Sequence, residues 1–229
     1  MNVTEPLPGF LEEVKDIAHR NGALLVFDET VTGFRYSNGG AQEHFGVTPD
    51  LATFGKGLAN GYPVSAVAGK AEVMRMMEEV FFSFTFGGET LSLAASLATM
   101  NKLQGKPVLA TIKKRGEQLL KGLQGLIDKY QANDFVSLAG HPSWSFFIIK
   151  DTEKCTMWEI KTLYMQEMLA RGVLTLGTYN MSYAHSEADV DALLKAYDQV
   201  IPILKNAVDN DRMKDLLRCK PLEPLFKVR

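Results

Sequence analysis

The sequence predicts an α/β fold over residues 1–105 and an α+β fold over residues 106–229. Two observations predict this order of elements. In the first region, segments with helical apolar spacing alternate with short apolar runs, as in helices that cover a mainly parallel sheet. From about Pro107, a long amphipathic helix leads into paired strands instead of a further strand-helix step. We therefore expect a domain boundary near residue 106.

The first region is predicted to begin with a helix that is followed by three short strands. The helix begins at Phe10 and ends at the Asn21-Gly22 pair, a common helix stop. The run "ALLVFDE" then predicts a buried parallel strand that carries Asp28 and Glu29 at its carboxyl end. "DLATFGKG" predicts a second strand that ends in a glycine turn, and "YPVSAVAG" predicts a third.

An aromatic run precedes the last helix of the first region. We interpret "FFSFTF" as a further strand, because aromatic residues are enriched in strands. The chain then passes through Gly87-Gly88 into a helix over "ETLSLAASLATMNKL". The predicted strands of the first region therefore lie between a first and a last helix, which is an α/β pattern.

The second region is predicted to combine helices with antiparallel strands. "FVSLAGHPSWSFFIIK" indicates two strands around a turn at residues 140–143, and "VLTLGTYNMSYAH" indicates two more short strands. Between them, "TMWEIKTLYMQEMLARG" predicts a helix that ends at Gly172. A final helix begins at Ser186, which with Asp189 resembles a capping box, and "RCKPLEPLFKVR" predicts an irregular arm.

Composition restricts the classes of partner. The 229 residues carry a net charge of −2, which gives no basic field for binding nucleic acid or an anionic membrane. Cys155 and Cys219 are far apart in sequence and show no metal-binding or disulfide spacing, which favours a reducing, cytoplasmic setting. The first ten residues lack the pattern of a signal peptide, and no later apolar run reaches membrane-spanning length.

Two chemically unusual groups follow neighbouring predicted strands. Asp28 ends the first strand, and Lys56 stands between Gly55 and Gly57 after the second. Ligands of open parallel sheets bind beyond the carboxyl ends of the strands. The pair is consistent with an interstrand salt bridge, but the bare glycines favour a lysine that contacts a bulky planar partner, as Schiff-base lysines do.

Phosphate-loop and metal sites are weaker interpretations. A Walker motif needs glycine at position 50 and serine or threonine at position 57, where this chain has Asp50 and Gly57. The four histidines show no metal-ligand spacing, so no metal site is predicted; they are His19, His44, His141 and His185.

The segment around Asp28 and Lys56 resembles the class III aminotransferases, which are pyridoxal-phosphate (PLP) enzymes of fold type I. "VFDETVTGFRYSNGGAQEHFGVTPDLATFGKGLANGYPVSAVAGKAEVM" carries the DExxTGFR, GGAQ, GVxPDL and GKxxxxGxPVxAxxG pattern of the branch that contains glutamate-1-semialdehyde aminomutase. The resemblance continues through "TFGGETLSLAAS" to "SYAHSEADVDALL". It implies that residues 1–105 are the C-terminal part of a large cofactor-binding domain and residues 106–229 a small C-terminal domain.

The resemblance also implies a reaction and three site residues. Lys56 matches the lysine that forms the Schiff base with PLP and moves the proton during amino-group transfer or aminomutation. Asp28 matches the carboxylate that pairs with the pyridine nitrogen. Thr85, in "FTFGG", matches the threonine that reaches the cofactor phosphate from the neighbouring subunit, so a homodimer is implied. The implied substrates are a small amino donor and a keto acid or aldehyde.

The chain departs from the family pattern at several positions. Thr30 stands where a valine commonly packs on the cofactor ring, and Val31 stands where glutamine or methionine is common. In "GGETLS", Glu89 and Thr90 replace a frequent Asn-Pro pair. These differences predict altered packing around the ring and near Thr85.

The segment "EPLPGFLEEV" matches the middle of the family's large domain, after an N-terminal half that supplies much of the site. A parallel sheet that lacks this half would expose an unpaired edge and apolar faces. We therefore expect a partner chain that carries the N-terminal half, or a truncated product. The alternative function is that of a non-catalytic remnant or half-chain, and a nucleotide-binding domain is a third interpretation.

Overall fold

The structure is a computed structural model, and it describes residues 4–224. The chain divides into two compact units, Glu5–Thr111 and a second unit that begins at Ile112. The division falls within a single long helix. Each unit is described below by itself.

The first unit contains short strands between helices. Its helices are α1 (Phe10–Arg20), α2 (Gly40–Phe45), α3 (Ala71–Met74) and α4 (Thr90–Gly105), and its strands are β1 (Val26–Asp28), β2 (Leu51–Phe54) and β3 (Ala66–Gly69). Two 3-10 turns cover Lys56–Leu58 and Arg75–Glu78. The predicted first helix and the three predicted strands are therefore present, each strand being shorter than its apolar run.

The sheet of the first unit has the order β1-β2-β3. β1 pairs with β2 in parallel, from Val26 opposite Leu51 to Asp28 opposite Thr53. β3 pairs with β2 in the antiparallel direction. The parallel pair brings the carboxyl ends of β1 and β2 to the same edge, which is the geometry that the site prediction requires.

Burial of β1 and pairing of the aromatic run were predicted wrongly. Val26 is 50% exposed, because no layer of residues 4–224 covers its side of the sheet, and β1 also has a neighbouring strand on one edge only. Residues 81–84 form no strand, and Phe81 is 94% exposed. A preference for strand conformation is realised only where a second strand pairs with it. The exposed large apolar residues of this unit are Leu7, Phe10, Ile17, Leu24, Val26, Tyr62, Val67, Met76, Met77, Val80, Phe81, Phe82, Phe84, Phe86, Leu91, Leu93 and Leu97.

The second unit contains the other sheet and the longer helices. Its helices are α5 (Val108–Lys129, which starts before the unit boundary), α6 (Met157–Ala170), α7 (Glu187–Asp209) and α8 (Met213–Leu216), and its strands are β4 (Val136–His141), β5 (Trp144–Ile149) and β6 (Thr178–Asn180). β4 and β5 form the predicted hairpin, and β6 pairs with β5 in the antiparallel direction. Only one of the two strands predicted in "VLTLGTYNMSYAH" forms within the described residues, because the segment before it has no strand partner.

Apolar side chains from three helices form the core of the second unit. Residues with no exposed surface include Leu119, Leu123 and Ile127 of α5, Ile160, Leu163 and Met168 of α6, and Val200, Ile201 and Leu204 of α7. Both α6 and α7 begin with a capping box, in which the N-cap hydroxyl and the acidic side chain three residues later satisfy each other's backbone N–H groups. The second of these is the predicted Ser186–Asp189 pair.

None of the helices in the described part of the chain is long and apolar enough to span a membrane.

Candidate active site

The carboxyl ends of β1 and β2 bring Asp28 and Lys56 to one edge of the first sheet. Asp28 is the last residue of β1 and lies opposite Thr53, three residues before Lys56. Lys56 begins the 3-10 turn that follows β2. Both side chains are exposed. The structure thus brings together two of the three residues that the sequence predicted for the site.

Lys56 has an unusual backbone conformation. Its φ is +39°, in the left-handed region that a residue with a side chain adopts at a cost of about 1–2 kcal/mol. Strained residues of this kind are concentrated at active sites, where the surrounding structure holds them in place. Four other described residues with side chains also have a positive φ: Phe34, Asn60, Gln131 and Asp211. The strain at Lys56 therefore supports a functional role only together with its place near Asp28.

The glycines on either side of Lys56 accommodate a loop of the protein itself. A Cβ atom at Gly55 would lie 3.3 Å from the Thr30 methyl carbon, which is a tight contact. At Gly57 it would lie 3.7 Å from the carbonyl oxygen of Gly33, an ordinary contact distance. The bare backbone on the Gly55 side is needed for the loop after β1, so the glycines alone do not imply a planar ligand.

Asp28 is held as an acceptor of several hydrogen bonds. Its Oδ1 accepts from the backbone N–H of Thr30 at 2.9 Å and from the Thr53 hydroxyl at 3.1 Å. Hydrogen bonds from Thr30 are the largest cause of a lowered pKa at this carboxyl, Thr53 adds to them, and the positive charge of Lys56 lowers the pKa further. Lys56 is therefore within electrostatic range of Asp28, and the carboxylate form is favoured.

Glu29 was placed by the sequence at the carboxyl end of the first strand but was given no role in the site, whereas the structure buries it in a network of hydrogen bonds. Its side chain is 1% exposed. Adjacent residues of a strand point to opposite faces, so an Asp28 that faces the site places Glu29 on the other face. This alternation was the available signal, but the partners of Glu29 lie 12 and 13 residues later in the chain.

Thr85 lies in an exposed turn over residues 85–88. The residues around it line a cavity of about 500 Å³, whose walls include Pro63, Phe84, Phe86 and Glu89. Thr85 itself makes no hydrogen bond to Asp28 or Lys56 within the described structure. Its role at the cofactor stays a prediction.

Glu89, one of the departures from the family pattern, has a clear local function. Its side chain accepts from the backbone N–H groups of Leu91 and Ser92, each at 2.7 Å, and so caps α4. The hydroxyl of Ser92 is the largest cause of a lowered pKa at Glu89. A carboxylate at this position is also favoured by the positive end of the helix dipole.

The donor set at this edge of the sheet fits a pyridine aldehyde cofactor. An exposed primary amine can condense with an aldehyde, and a carboxylate of lowered pKa can hold a proton on a ring nitrogen. Lys56 and Asp28 are the two described residues that match these needs.

Comparison with known proteins connects this site with one family. The family model for aminotransferase class III matches residues 1–185. The glutamate-1-semialdehyde 2,1-aminomutase of Ruminiclostridium cellulolyticum is 36% identical over 214 residues, which are 88% of this chain and 49% of that protein. Glutamate-1-semialdehyde 2,1-aminomutase 1 of Bacillus cereus is 34% identical over 218 residues, 90% of this chain and 50% of the relative.

Solved structures show the same fold. The PLP internal aldimine form of the FumI protein from Sphingopyxis sp. MTA144 superposes with a TM-score of 0.78 at 26% identity, over 87% of this chain and 48% of that one. An omega-transaminase from Sphaerobacter thermophilus has a TM-score of 0.77 at 22% identity, over 89% of this chain and 49% of its own. Fold type I of the PLP-dependent transaminases, expected from the sequence, is confirmed.

The chain spans about half the length of the curated relatives it matches. The resemblance noted around Asp28 and Lys56 is confirmed by the family model and by both aminomutases. This chain belongs to the class III aminotransferase family.

Proposed function

We propose that this chain carries the lysine-bearing part of a PLP-dependent enzyme that transfers an amino group, as an aminotransferase or an aminomutase. Membership of the class III aminotransferases supports the proposal, as do the names of the matched aminomutases. The observation that carries it is the strained Lys56 turn at the carboxyl end of β2, within electrostatic range of Asp28.

Lys56 and Asp28 have distinct roles in this proposal. When bound, PLP supplies an aldehyde that condenses with amines and a ring that accepts electrons from the substrate carbon. Lys56 would hold the cofactor through its Nζ, which condenses with an aldehyde, and as a free amine it would move protons at the substrate carbon. Asp28, in its ionised form, would hold a proton on the ring nitrogen, and Thr30 and Thr53 fix its orientation.

Thr85 is proposed to bind the cofactor phosphate of a second subunit. The hydroxyl lies in an exposed turn, next to a segment whose large side chains Phe82, Phe84 and Phe86 are all more than half exposed. An apolar surface of this kind is typical of a protein interface. We therefore propose a homodimer in which this segment contributes to the site.

We also propose that the first unit packs against the N-terminal half of the family's fold, which these 229 residues do not contain. The unpaired edge of β1, with Val26 50% and Leu24 52% exposed, offers a place for a further strand. This half is supplied either by another segment of the same polypeptide or by a separate chain. The proposed substrates are a small amino donor and a keto acid or aldehyde, and the free thiols of Cys155 and Cys219 accord with the cytoplasmic setting that we propose.

Reduction with borohydride tests the proposed role of Lys56. PLP is added to the chain, borohydride reduces any C=N bond, and peptide mass spectrometry locates the adduct. We expect an absorption band of the bound cofactor and an adduct at Lys56, both lost in Lys56→Arg, because a guanidinium does not condense with the aldehyde at neutral pH. Lys106→Arg, at another exposed lysine, is the matched control and keeps both signals.

An adduct spread over many surface lysines, or none at Lys56, would contradict the proposal for the chain alone. The same outcome would favour the alternative interpretation, in which this chain is a non-catalytic remnant. Repeating the measurement after addition of a separately produced N-terminal half from a class III relative then separates a missing partner from a lost site.

A further inference from the structure

The buried carboxyl group of Glu29 connects β1 with the helix that follows it. Its Oε2 accepts from the Thr32 hydroxyl at 2.5 Å and from the backbone N–H of Ala41 at 2.8 Å. Its Oε1 accepts from the backbone N–H of Gln42 at 2.8 Å. One side chain thus satisfies two N–H groups in the first turn of α2 and one hydroxyl in the loop before it.

The fit around this carboxyl group is close. Gly40, with a φ of +82°, would place a Cβ atom 2.6 Å from Oε2 of Glu29. Glu29 therefore holds both ends of the loop over residues 30–40. The loop follows Glu29 in the chain, and the N–H groups just after the loop, at Ala41 and Gln42, donate to the Glu29 side chain.

The loop over residues 30–40 packs against the segment that carries Lys56. The backbone N–H of Glu29 donates to the carbonyl of Thr53, and the N–H of Gly33 donates to the carbonyl of Glu29 at 2.8 Å. The rings of Phe34 and Phe54 are 5.6 Å apart between centroids. The Thr30 methyl carbon, which lies 3.3 Å from the position that a Cβ atom at Gly55 would take, is also on this side of the Lys56 turn. We take these neighbours as one wall of the turn.

We propose that Glu29 is a positioning residue: through the loop over residues 30–40 it fixes the left-handed turn at Lys56 and the hydrogen bond from Thr30 to Asp28. The proposal rests on the proposed function for its consequence at the cofactor. Its structural part concerns this chain's own residues and can be tested without PLP.

The decisive variant is Glu29→Gln. Either orientation of the amide places its NH₂ group against at least one backbone N–H, at Ala41 or at Gln42, so a hydrogen bond is lost where a carboxyl group accepted it. Thr32→Val is a milder variant that removes one donor, the Thr32 hydroxyl, from the Glu29 carboxylate. Glu43→Gln is the matched control, because Glu43 also accepts from a backbone N–H of this loop, that of Gly39, but is exposed.

Amide hydrogen exchange is the first measurement. We expect exchange in residues 54–58 to be about tenfold faster in Glu29→Gln, with a smaller change in Thr32→Val and none in Glu43→Gln. If exchange accelerates in residues 30–42 of both Glu29→Gln and Thr32→Val while residues 54–58 keep the rate of the unaltered chain, Glu29 only caps α2 and the proposal is wrong.

Labelling of Lys56 is the second measurement, and a merely structural role would not move it. Acetic anhydride reports the accessibility of the amine, and PLP with borohydride reports its orientation toward the cofactor. We expect the ratio of PLP adduct to acetylation at Lys56 to fall about fivefold in Glu29→Gln, because a displaced turn alters the placement on which catalysis depends. An unchanged ratio overturns the proposed effect on the site.

The two proposals fail in different ways. If the unaltered chain forms no PLP adduct at Lys56, the proposed function fails for this chain, and exchange in residues 54–58 alone decides the role of Glu29. If the adduct forms equally in the unaltered chain and in Glu29→Gln, the proposed function stands and the positioning role fails.

Discussion

The first unit buries few large apolar side chains, and the second unit buries many. In the first, Val47, Leu58 and Val108 are the largest apolar residues that are buried. In the second, α5, α6 and α7 each contribute several side chains with no exposed surface. The second unit therefore has the kind of core on which independent stability depends.

Buried polar residues have a larger share in the first unit. Asp50 is 1% exposed and accepts from Lys70 Nζ at 2.7 Å, from the backbone N–H of Leu25 at 2.7 Å and from His19 Nε2 at 2.9 Å. Glu29 is buried to the same degree. In the described part of the chain, this unit thus combines satisfied buried polar groups with many exposed apolar side chains, a surface typical of interaction sites.

The largest effect is expected in the core of the second unit. Leu123→Ala removes a side chain with no exposed surface and should destabilise this unit by about 3 kcal/mol. Denaturant unfolding followed by tryptophan fluorescence measures it, because both tryptophans, Trp144 and Trp158, lie in the second unit.

Leu97→Ala in α4 is the counterpart in the first unit. Leu97 is 57% exposed, so we expect less than about 0.5 kcal/mol of change from the same substitution. Neither tryptophan lies in the first unit, so amide hydrogen exchange in α4 measures this change. Equal losses at Leu123 and Leu97 would show that the contrast between the units does not hold in solution.

A smaller effect is expected at the polar connections of the first unit. Asp50→Asn removes the charge that Lys70 pairs with, and should weaken the first unit by about 2 kcal/mol. Amide exchange at residues 51–54, compared with residues 144–149 of the second unit, measures the loss. An equal change in both units would contradict a local role.

The pH dependence of the same residue follows from its pKa. Hydrogen bonds from Lys70, Leu25 and His19, in decreasing order, hold the pKa of Asp50 well below its ordinary value. The unfolded chain therefore takes up the proton first on acidification, and the stabilisation present above about pH 4 is lost as the pH falls further. We expect amide exchange of residues 51–54, corrected for intrinsic rates, to accelerate below this pH, and Asp50→Asn to flatten the response.

A capping residue of the second unit should give a still smaller effect. Ser186→Ala removes the hydroxyl that accepts from the N–H of Asp189 and should cost about 1 kcal/mol. The same fluorescence measurement applies, and Ser83→Ala, in an exposed segment of the first unit, is the control. A loss as large as that at Leu123 would indicate that capping, and not the apolar core, dominates this unit.

The smallest effect on stability is expected at the exposed aromatic segment. Phe81 is 94% exposed, so Phe81→Ser should change stability by less than about 0.5 kcal/mol. It should nevertheless reduce self-association and the binding of an apolar dye, which light scattering and dye fluorescence measure. A large loss of stability would mean that this side chain is covered in solution.

Features that follow from a local sequence pattern, or from a general rule applied to two such patterns, could be predicted. The capping box at Ser186 and Asp189 needs only a spacing of three, and the positions of Asp28 and Lys56 follow from two strands that end close together. The hairpin of β4 and β5 likewise follows from two apolar runs around a short turn.

Features that depend on distant residues could not be predicted. The strand preference of the aromatic run around Phe84 was clear, but no strand pairs with it in the described structure. Glu29 gains its partners only when the chain returns at Ala41 and Gln42. Burial of Val26 depends on a layer that the described residues do not supply.

The left-handed conformation of Lys56 lowers the stability of the protein, whereas the amine of this residue is needed for the proposed reaction. An asparagine would adopt a φ of +39° at lower cost, so Lys56→Asn is expected to tolerate heat at least as well as the unaltered chain. A laboratory selection for thermal stability alone would replace this lysine. If related sequences kept it, selection for its chemical reactivity, and not for folding, would be the reason.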